Sequence, residues 1–398
     1  MTPSSYRTDG ARMGSTIRVR TILAATALAA AISACADRPP DSAADVQEIA
    51  LVELARIDPE AIPGQAPFGR IADLEISEDG SVFVLDALSR TVRVFDAQGT
   101  ELRTFGQRGQ GPGELEEPIA LFWGPDGNLW VADVRNVRFT VFEPDGGLVA
   151  TYRVGGPRLG SPAAVGFSEA EVLYAVAFDL PGGSLENMKI VLVEYEVGNS
   201  EAKPLRQIDL PFVELPQLFE YRGDGNVLVV PVPFSGEPVF RMDPSGRLWY
   251  AQTGQPLIHR VSISEGIDLT FGRELTPLPV TPSERQEAID DELSVEDRSL
   301  IGQAGVAEFA GLIPDTKPYL QSFFFDDEQS VWVIRAARGD SGDDLLDMDI
   351  YSLSGTLMAV AHAALESEPT PRVREGLLAG VVRDELGVES VALYRIQR

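Results

Sequence analysis

Between Arg70 and Tyr152, short apolar runs alternate with polar turns in a pattern that is written twice. Ile71–Ile76, Val82–Leu85, Thr91–Phe95 and Glu101–Phe105 read as strands, since each is rich in β-branched or aromatic residues and bounded by Gly, Asp or Ser. Ile119–Trp123, Leu129–Ala132, Arg138–Phe142 and Leu148–Tyr152 read as the same four strands again. The turns repeat as well. Asp79, Gly80, Asp86, Val94, Phe95, Asp96 and Gly99 return as Asp126, Gly127, Asp133, Val141, Phe142, Glu143 and Gly146, each at an offset of 47 residues.

A fixed period of this size, carrying four short strands per unit, predicts the blades of a β-propeller. The turn that opens the second strand recurs at Gly80, Gly127, Ala170, Gly246, Gln329 and Gly376, which marks six units. Two intervals are longer than one blade. The first holds a hairpin near 217–233, and the second holds a helical pair near 281–310. That pair is signalled by the capping box Thr281 to Glu284, with Pro282 at the first helical position, and by a second start at Ser294 to Asp297. The expected fold is all-β, a six-bladed β-propeller of four-stranded antiparallel blades forming a single domain over 47–398, with a short helical insertion. Seven blades, counting the hairpin as an abbreviated blade, is the alternative. The last unit lacks a fourth strand, and the lone alternating run Val46–Ile57 is expected to supply it, closing the last blade with the N-terminal strand and hiding a sheet edge. Phe83, Trp130, Trp249 and Trp332 occupy one place in the repeat, where large rings pack between neighbouring blades.

The amino terminus changes the picture from fold to address. Arg18 and Arg20 precede the apolar, small-residue run Thr21–Ile32, and Ile32-Ser33-Ala34-Cys35 closes it. The tetrapeptide resembles the bacterial lipobox, which implies that residues 1–35 are a lipoprotein signal peptide and that Cys35 carries a lipid anchor. Met13 is an alternative start that leaves a shorter basic region, and residues 36–46 read as a tether. Ala36 after the cysteine implies the outer membrane, facing the periplasm, within the cell envelope. Cys35 is the only cysteine, so no disulfide within the chain can support the fold. After it, no apolar run reaches the roughly 20 residues of a spanning helix. A net charge of -28 repels phosphate backbones and excludes nucleic acid as a partner. The expected partners are the membrane, through the lipid, and a protein or small-molecule ligand, with the chain a monomer.

Gly80-Ser81-Val82-Phe83-Val84-Leu85-Asp86, followed by Val94-Phe95-Asp96 and by Gly106-Gln107-Arg108-Gly109-Gln110-Gly111-Pro112-Gly113-Glu114, resembles NHL-repeat propellers. More closely, the chain resembles the six-bladed β-propeller lipoproteins of bacteria, and Ala170 in place of the turn glycine departs from that pattern. The resemblance implies fold and location rather than activity. Candidate chemistry is sparse. Only His259 and His362 are present, and no zinc-protease, nucleophile-elbow, phosphate-loop or dinucleotide motif occurs. Asp86 and Asp133 recur with the repeat, which argues for turn stabilisation rather than catalysis. Asp340, Asp343, Asp344 and Asp347 are candidate calcium ligands in an acidic loop that lacks the EF-hand order, and no other cofactor is expected. Arg108, Arg335 and Arg338, in loops between strands, are candidate clamps for a carboxylate ligand. The expected function is a binding scaffold at the cell envelope, without catalysis and not an enzyme. The alternative is a calcium-dependent hydrolase or lyase of the lactonase or esterase type.

Overall fold

The computed structural model describes residues 46–61, 66–155, 163–179, 187–198, 200–223, 226–336 and 345–397. Strand β1 spans Gln47–Ile57. A first meander follows as β2 (Ile71–Ile76), β3 (Val82–Asp86), β4 (Thr91–Phe95) and β5 (Glu101–Phe105), and its repeat as β6 (Pro118–Trp123), β7 (Leu129–Asp133), β8 (Arg138–Phe142) and β9 (Leu148–Val154). Next come β10 (Ala163–Phe167), β11 (Leu173–Asp179), β12 (Lys189–Gly198) and β13 (Glu201–Asp209), then the hairpin β14 (Leu218–Gly223) and β15 (Asn226–Pro231). Strands β16 (Pro238–Met242), β17 (Leu248–Gln252), β18 (Leu257–Ser262) and β19 (Gly266–Gly272) precede helices α1 (Pro282–Glu292) and α2 (Val295–Leu312). The chain ends in β20 (Leu320–Phe325), β21 (Ser330–Arg335), β22 (Leu346–Ser352) and β23 (Leu357–Ala363), and then β24 (Arg372–Arg374), β25 (Leu377–Arg383) and β26 (Glu389–Gln397).

Each meander is antiparallel from strand to strand, as β2 to β5 illustrate. The first strands touch one another in chain order: β2 meets β6, β6 meets β10, β10 meets β16, β16 meets β20, β20 meets β24, and β24 returns to β2. The architecture is therefore all-β and ring-like, of the β-propeller kind. Strand β1 lies antiparallel against β26, from Ala50 opposite Gln397 to Ile57 opposite Val391. Its first residues, Gln47–Ile49, run parallel to β23.

Second strands explain why the sheets stack. Val82–Asp86, Leu129–Asp133 and Leu248–Gln252 are buried at every position, so both faces meet a neighbour and the sequence reads as a continuous apolar run. The repeated rings fill the gaps between meanders: Trp130 meets Phe167 edge-on at 5.0 Å, and Trp249 meets Phe325 at 5.5 Å. Turn aspartates anchor two of the repeated rings, since Trp249 Nε1 donates to Asp243 at 2.9 Å and Trp332 Nε1 donates to Asp326 at 3.1 Å.

The recurrent Asp86 and Asp133 are structural. Asp86 accepts from the backbone N–H groups of Gly69, Arg70, Leu88 and Ser89 at 2.9–3.2 Å, and Asp133 accepts from those of Glu116 and Glu117 at 2.9 and 3.0 Å. Each carboxylate staples the loop entering a meander to the turn inside it. Both predicted capping boxes are formed at α1 and α2, and Gly302 interrupts α2 at φ 66°, a conformation glycine takes without strain. The helices share a satellite core with the hairpin, in which Phe219, Leu293 and Phe309 are buried together.

Ile57 is 1% exposed, whereas Val52 on the same strand is 42% exposed. Replacing Ile57 by Ala removes packing between the two chain ends and is expected to cost about 2–5 kcal/mol in urea unfolding. Val52→Ser should change the unfolding free energy by less than about 0.5 kcal/mol.

Candidate functional site

The first strands bring their inward side chains together at the centre of the ring. Along β2, strand alternation buries Leu74 and Ile76 in the sheet core and turns Asp73 and Glu75 to the opposite face. Arg372 of β24 reaches both: Nη2 donates to Asp73 Oδ1 at 2.8 Å, and Nε donates to Glu75 Oε1 at 3.0 Å. Its Nη1 donates to the Thr370 carbonyl at 2.8 Å. Asp73 is engaged on both oxygens, since Oδ2 accepts from the backbone N–H of Leu121 in β6 at 2.9 Å. One carboxylate thus ties together β24, β2 and β6.

Arg241 enters from β16. Its Nη1 donates to the Phe240 carbonyl at 2.9 Å, and its Nη2 donates to Thr370 Oγ1 at 3.0 Å and to Ser322 Oγ of β20 at 3.2 Å. The two hydroxyls are 3.2 Å apart. Both guanidinium groups therefore converge on Thr370, Arg241 on its hydroxyl and Arg372 on its carbonyl.

Burial pushes the Glu75 carboxyl up to about 7, against the pull of the Arg372 charge and with Asp73 reinforcing the shift. A carboxyl near neutrality holds and releases a proton at working pH, which suits it to acid–base chemistry. Burial, and then the neighbouring Arg372, lower Arg241 to about 10. Although burial works against its charge, Arg372 is held above the ordinary arginine value by Asp73 and Glu75. Just outside β16, burial and the nearby Glu368 raise the Glu237 carboxyl.

The residues singled out in the sequence lie elsewhere. Arg108 is exposed, with Glu116 at 3.8 Å. Arg335 lies 3.1 Å from Asp349 and 3.3 Å from Asp347. Asp349 also receives a forked pair of hydrogen bonds from Arg273 at 2.7 and 2.8 Å, and Asp347 is 2.6 Å from His362 Nδ1. Arg335 and Asp347 are thus members of one ion-paired string. Cys35, Arg338, Asp340, Asp343 and Asp344 lie outside the described residues. Among the described residues, no three of His, Cys, Asp and Glu gather so as to hold a metal ion. His259 is buried, stacked on Tyr250 and bonded to Thr270 at 2.8 Å, and burial lowers its pKa. A depression of about 400 Å³ beside β4 is lined by Asp86, Arg93 and Glu101, whose charges already serve turns and an ion pair.

Asp73, Glu75, Arg241 and Arg372 were not legible as a motif, but the repeat holds a signal for two of them. At the offset of 47 residues, Asp73 and Glu75 stand where Ala120 and Phe122 stand in the next unit.

No protein-family model and no curated protein sequence matches the chain. Solved structures resemble it at low identity. A Bacteroides fragilis protein is 12% identical over 90% of this chain and 98% of its own, with a TM-score of 0.48. Virginiamycin B lyase from Staphylococcus aureus is 10% identical over 88% of this chain and 100% of its own, with a TM-score of 0.44. The PQQ-bound aldose sugar dehydrogenase from Streptomyces coelicolor is 13% identical over 90% of this chain and 100% of its own, with a TM-score of 0.41. At these values no residue role passes from them to this chain. The expectation of a ligand- or protein-binding scaffold that is not an enzyme, drawn from missing motifs, does not stand. The physical reason is that a site assembled from separate first strands leaves no contiguous motif to find.

Glu75 makes a pH prediction. Its folded pKa is raised from 4.5 to about 7, so the native state binds the proton more tightly than the unfolded state. Its contribution to stability is greatest below pH 4.5, falls as pH rises from 4.5 to 7, and is constant above. Relative to wild type, Glu75→Gln should therefore gain about 2 kcal/mol of unfolding free energy between pH 5 and pH 8, measured by urea titration at both.

Proposed function

We propose that the chain is a six-bladed β-propeller whose sixth blade is completed by β1, and that it is an enzyme acting on a small molecule held at the centre of the ring. The reaction class is hydrolysis or elimination, with Glu75 as the proton-transferring group. The cyclic contact of six first strands and the pairing of β1 with β26 support the blade count. The observation that carries the function is a carboxyl poised near neutrality beside Arg372, among side chains contributed by several first strands.

Each residue has a separable part. As carboxylate, Glu75 takes a proton from water or from a carbon acid of the substrate, and as acid it returns that proton to the leaving group. Arg372 orients Glu75 and remains cationic, and Asp73 positions Arg372. No step is routed through calcium, because the channel carboxylates Asp73 and Glu75 are already bound to Arg372 and do not form an open oxygen-ligand set.

The resemblance to bacterial propeller lipoproteins belongs to the same proposal: residues 1–35 direct export, and acylation of Cys35 holds the ring at the cell envelope. Cys35→Ser should then move the protein from the membrane fraction to the soluble fraction of fractionated cells.

Turnover of lactones, aryl esters and substrates with an acidic carbon beside a leaving group should be detected in wild type. Glu75→Gln should lower kcat/KM by about 10²–10⁴-fold while retaining the far-UV spectrum of wild type. Equal turnover in the variant, or none of these substrates consumed by wild type, would sink the assignment.

A further inference from the structure

The two guanidinium groups at the centre of the ring are unequally neutralised. Arg372 takes Asp73 and Glu75 as ion-pair partners at 2.8 and 3.0 Å. Arg241 makes no such pair among the described residues; its hydrogen-bond partners are the Phe240 carbonyl and the hydroxyls of Ser322 and Thr370. Arg241 is partly exposed and its direct partners are neutral oxygens, with Asp73 and Glu368 acting on it only from a distance, so an arriving anion adds a charge–charge contact that none of those partners supplies.

We propose that Arg241 is the docking point for a single carboxylate on an otherwise uncharged small substrate. The proposal rests on reading the centre of the ring as the reactive site. A planar carboxylate matches the guanidinium fork. The hydroxyls of Ser322 and Thr370 now accept from Nη2 and lie 3.2 Å apart, so both are placed to turn their protons onto the same anion. The charge must also be small. Asp73 and Glu75 lie across the site on Arg372, and Glu368 acts on Arg241 from nearby, so a dianion such as phosphate meets repulsion that a monoanion meets at half strength. With the carboxylate held at Arg241, the rest of the substrate extends toward Arg372 and the Glu75 carboxyl that it orients.

Calorimetric titration with acetate, lactate, benzoate, methyl benzoate and inorganic phosphate tests the proposal on the mature protein. At least one monocarboxylate should bind wild type, with methyl benzoate and phosphate at least tenfold weaker. Arg241→Met should lower that affinity at least tenfold with an unchanged or raised melting temperature, and Arg241→Lys should lower it less. Should the Met variant fail to fold, a loss of several-fold in Arg241→Lys still supports the proposal, and unchanged affinity in Arg241→Lys overturns it. Binding of none of the three carboxylates, equal binding of benzoate and its methyl ester, or unaltered affinity in Arg241→Met also overturns it. Glu75→Gln separates the two readings. Carboxylate binding through Arg241, with turnover indifferent to Glu75, would defeat the enzymatic assignment alone. Turnover that needs Glu75 but proceeds equally well on neutral esters in Arg241→Met would defeat the carboxylate proposal alone.

Discussion

The contact on which the architecture depends is the seam where β24 returns to β2. A series of meanders that twist about a common axis has an exposed flank at each end until the last sheet packs against the first. Here that packing is apolar at depth, with Leu74 and Ile76 of the first meander buried against Leu377, Ala379 and Val381 of the last. It is polar on either side. Glu389 accepts from the Ile71 backbone N–H at 2.5 Å, Arg372 spans Asp73 and Glu75, and Arg374 reaches Glu78 at 2.9 Å. The apolar contacts supply non-directional attraction, and the charge pairs fix the register in which the two sheets meet.

This seam also contains the group best suited to chemistry. Arg372 must be present to hold the sheets in register, and its presence keeps Glu75 from being simply a buried neutral acid. Burial alone favours the protonated form, whereas the guanidinium favours the ionised one, and the opposition leaves the carboxyl near neutrality. The register of the seam and the protonation of Glu75 therefore rest on the same pair of residues, so a substitution at Arg372 alters both at once.

Much of the fold could be read from the chain because a repeat states it several times over. The strands of the first two meanders, the rings at Phe83, Trp130, Trp249 and Trp332, and the stapling role of Asp86 and Asp133 all follow from residues that recur. The centre of the ring was not readable by the same means, because its residues are those that do not recur. Asp73 and Glu75 share β2, whereas Arg241, Ser322 and Arg372 come from the first strands of three other meanders, tens to hundreds of residues away, so no local spacing joins the carboxylates to the arginines. Looking for function where the repeat is lengthened led to the loops and their arginines, of which Arg335 proved to be ion-paired. The informative departures were substitutions within the repeat, where a carboxylate replaces Ala or Phe without any change of length.

The pairing of β1 with β26 joins the first of the described strands to be synthesised with the last. Residues 299 positions apart must meet before Asp73 and Arg372 can bond, and the entropy of closing so long a segment is recovered only through contacts made at the end. A nascent chain that has not yet reached Arg372 holds Glu75 without its cation, and one that has not reached β26 leaves β1 without its antiparallel partner. Completion of the polypeptide and pairing of Glu75 with Arg372 thus go together, and a chain cut short has strands but lacks both the central ion pair and the partner of β1.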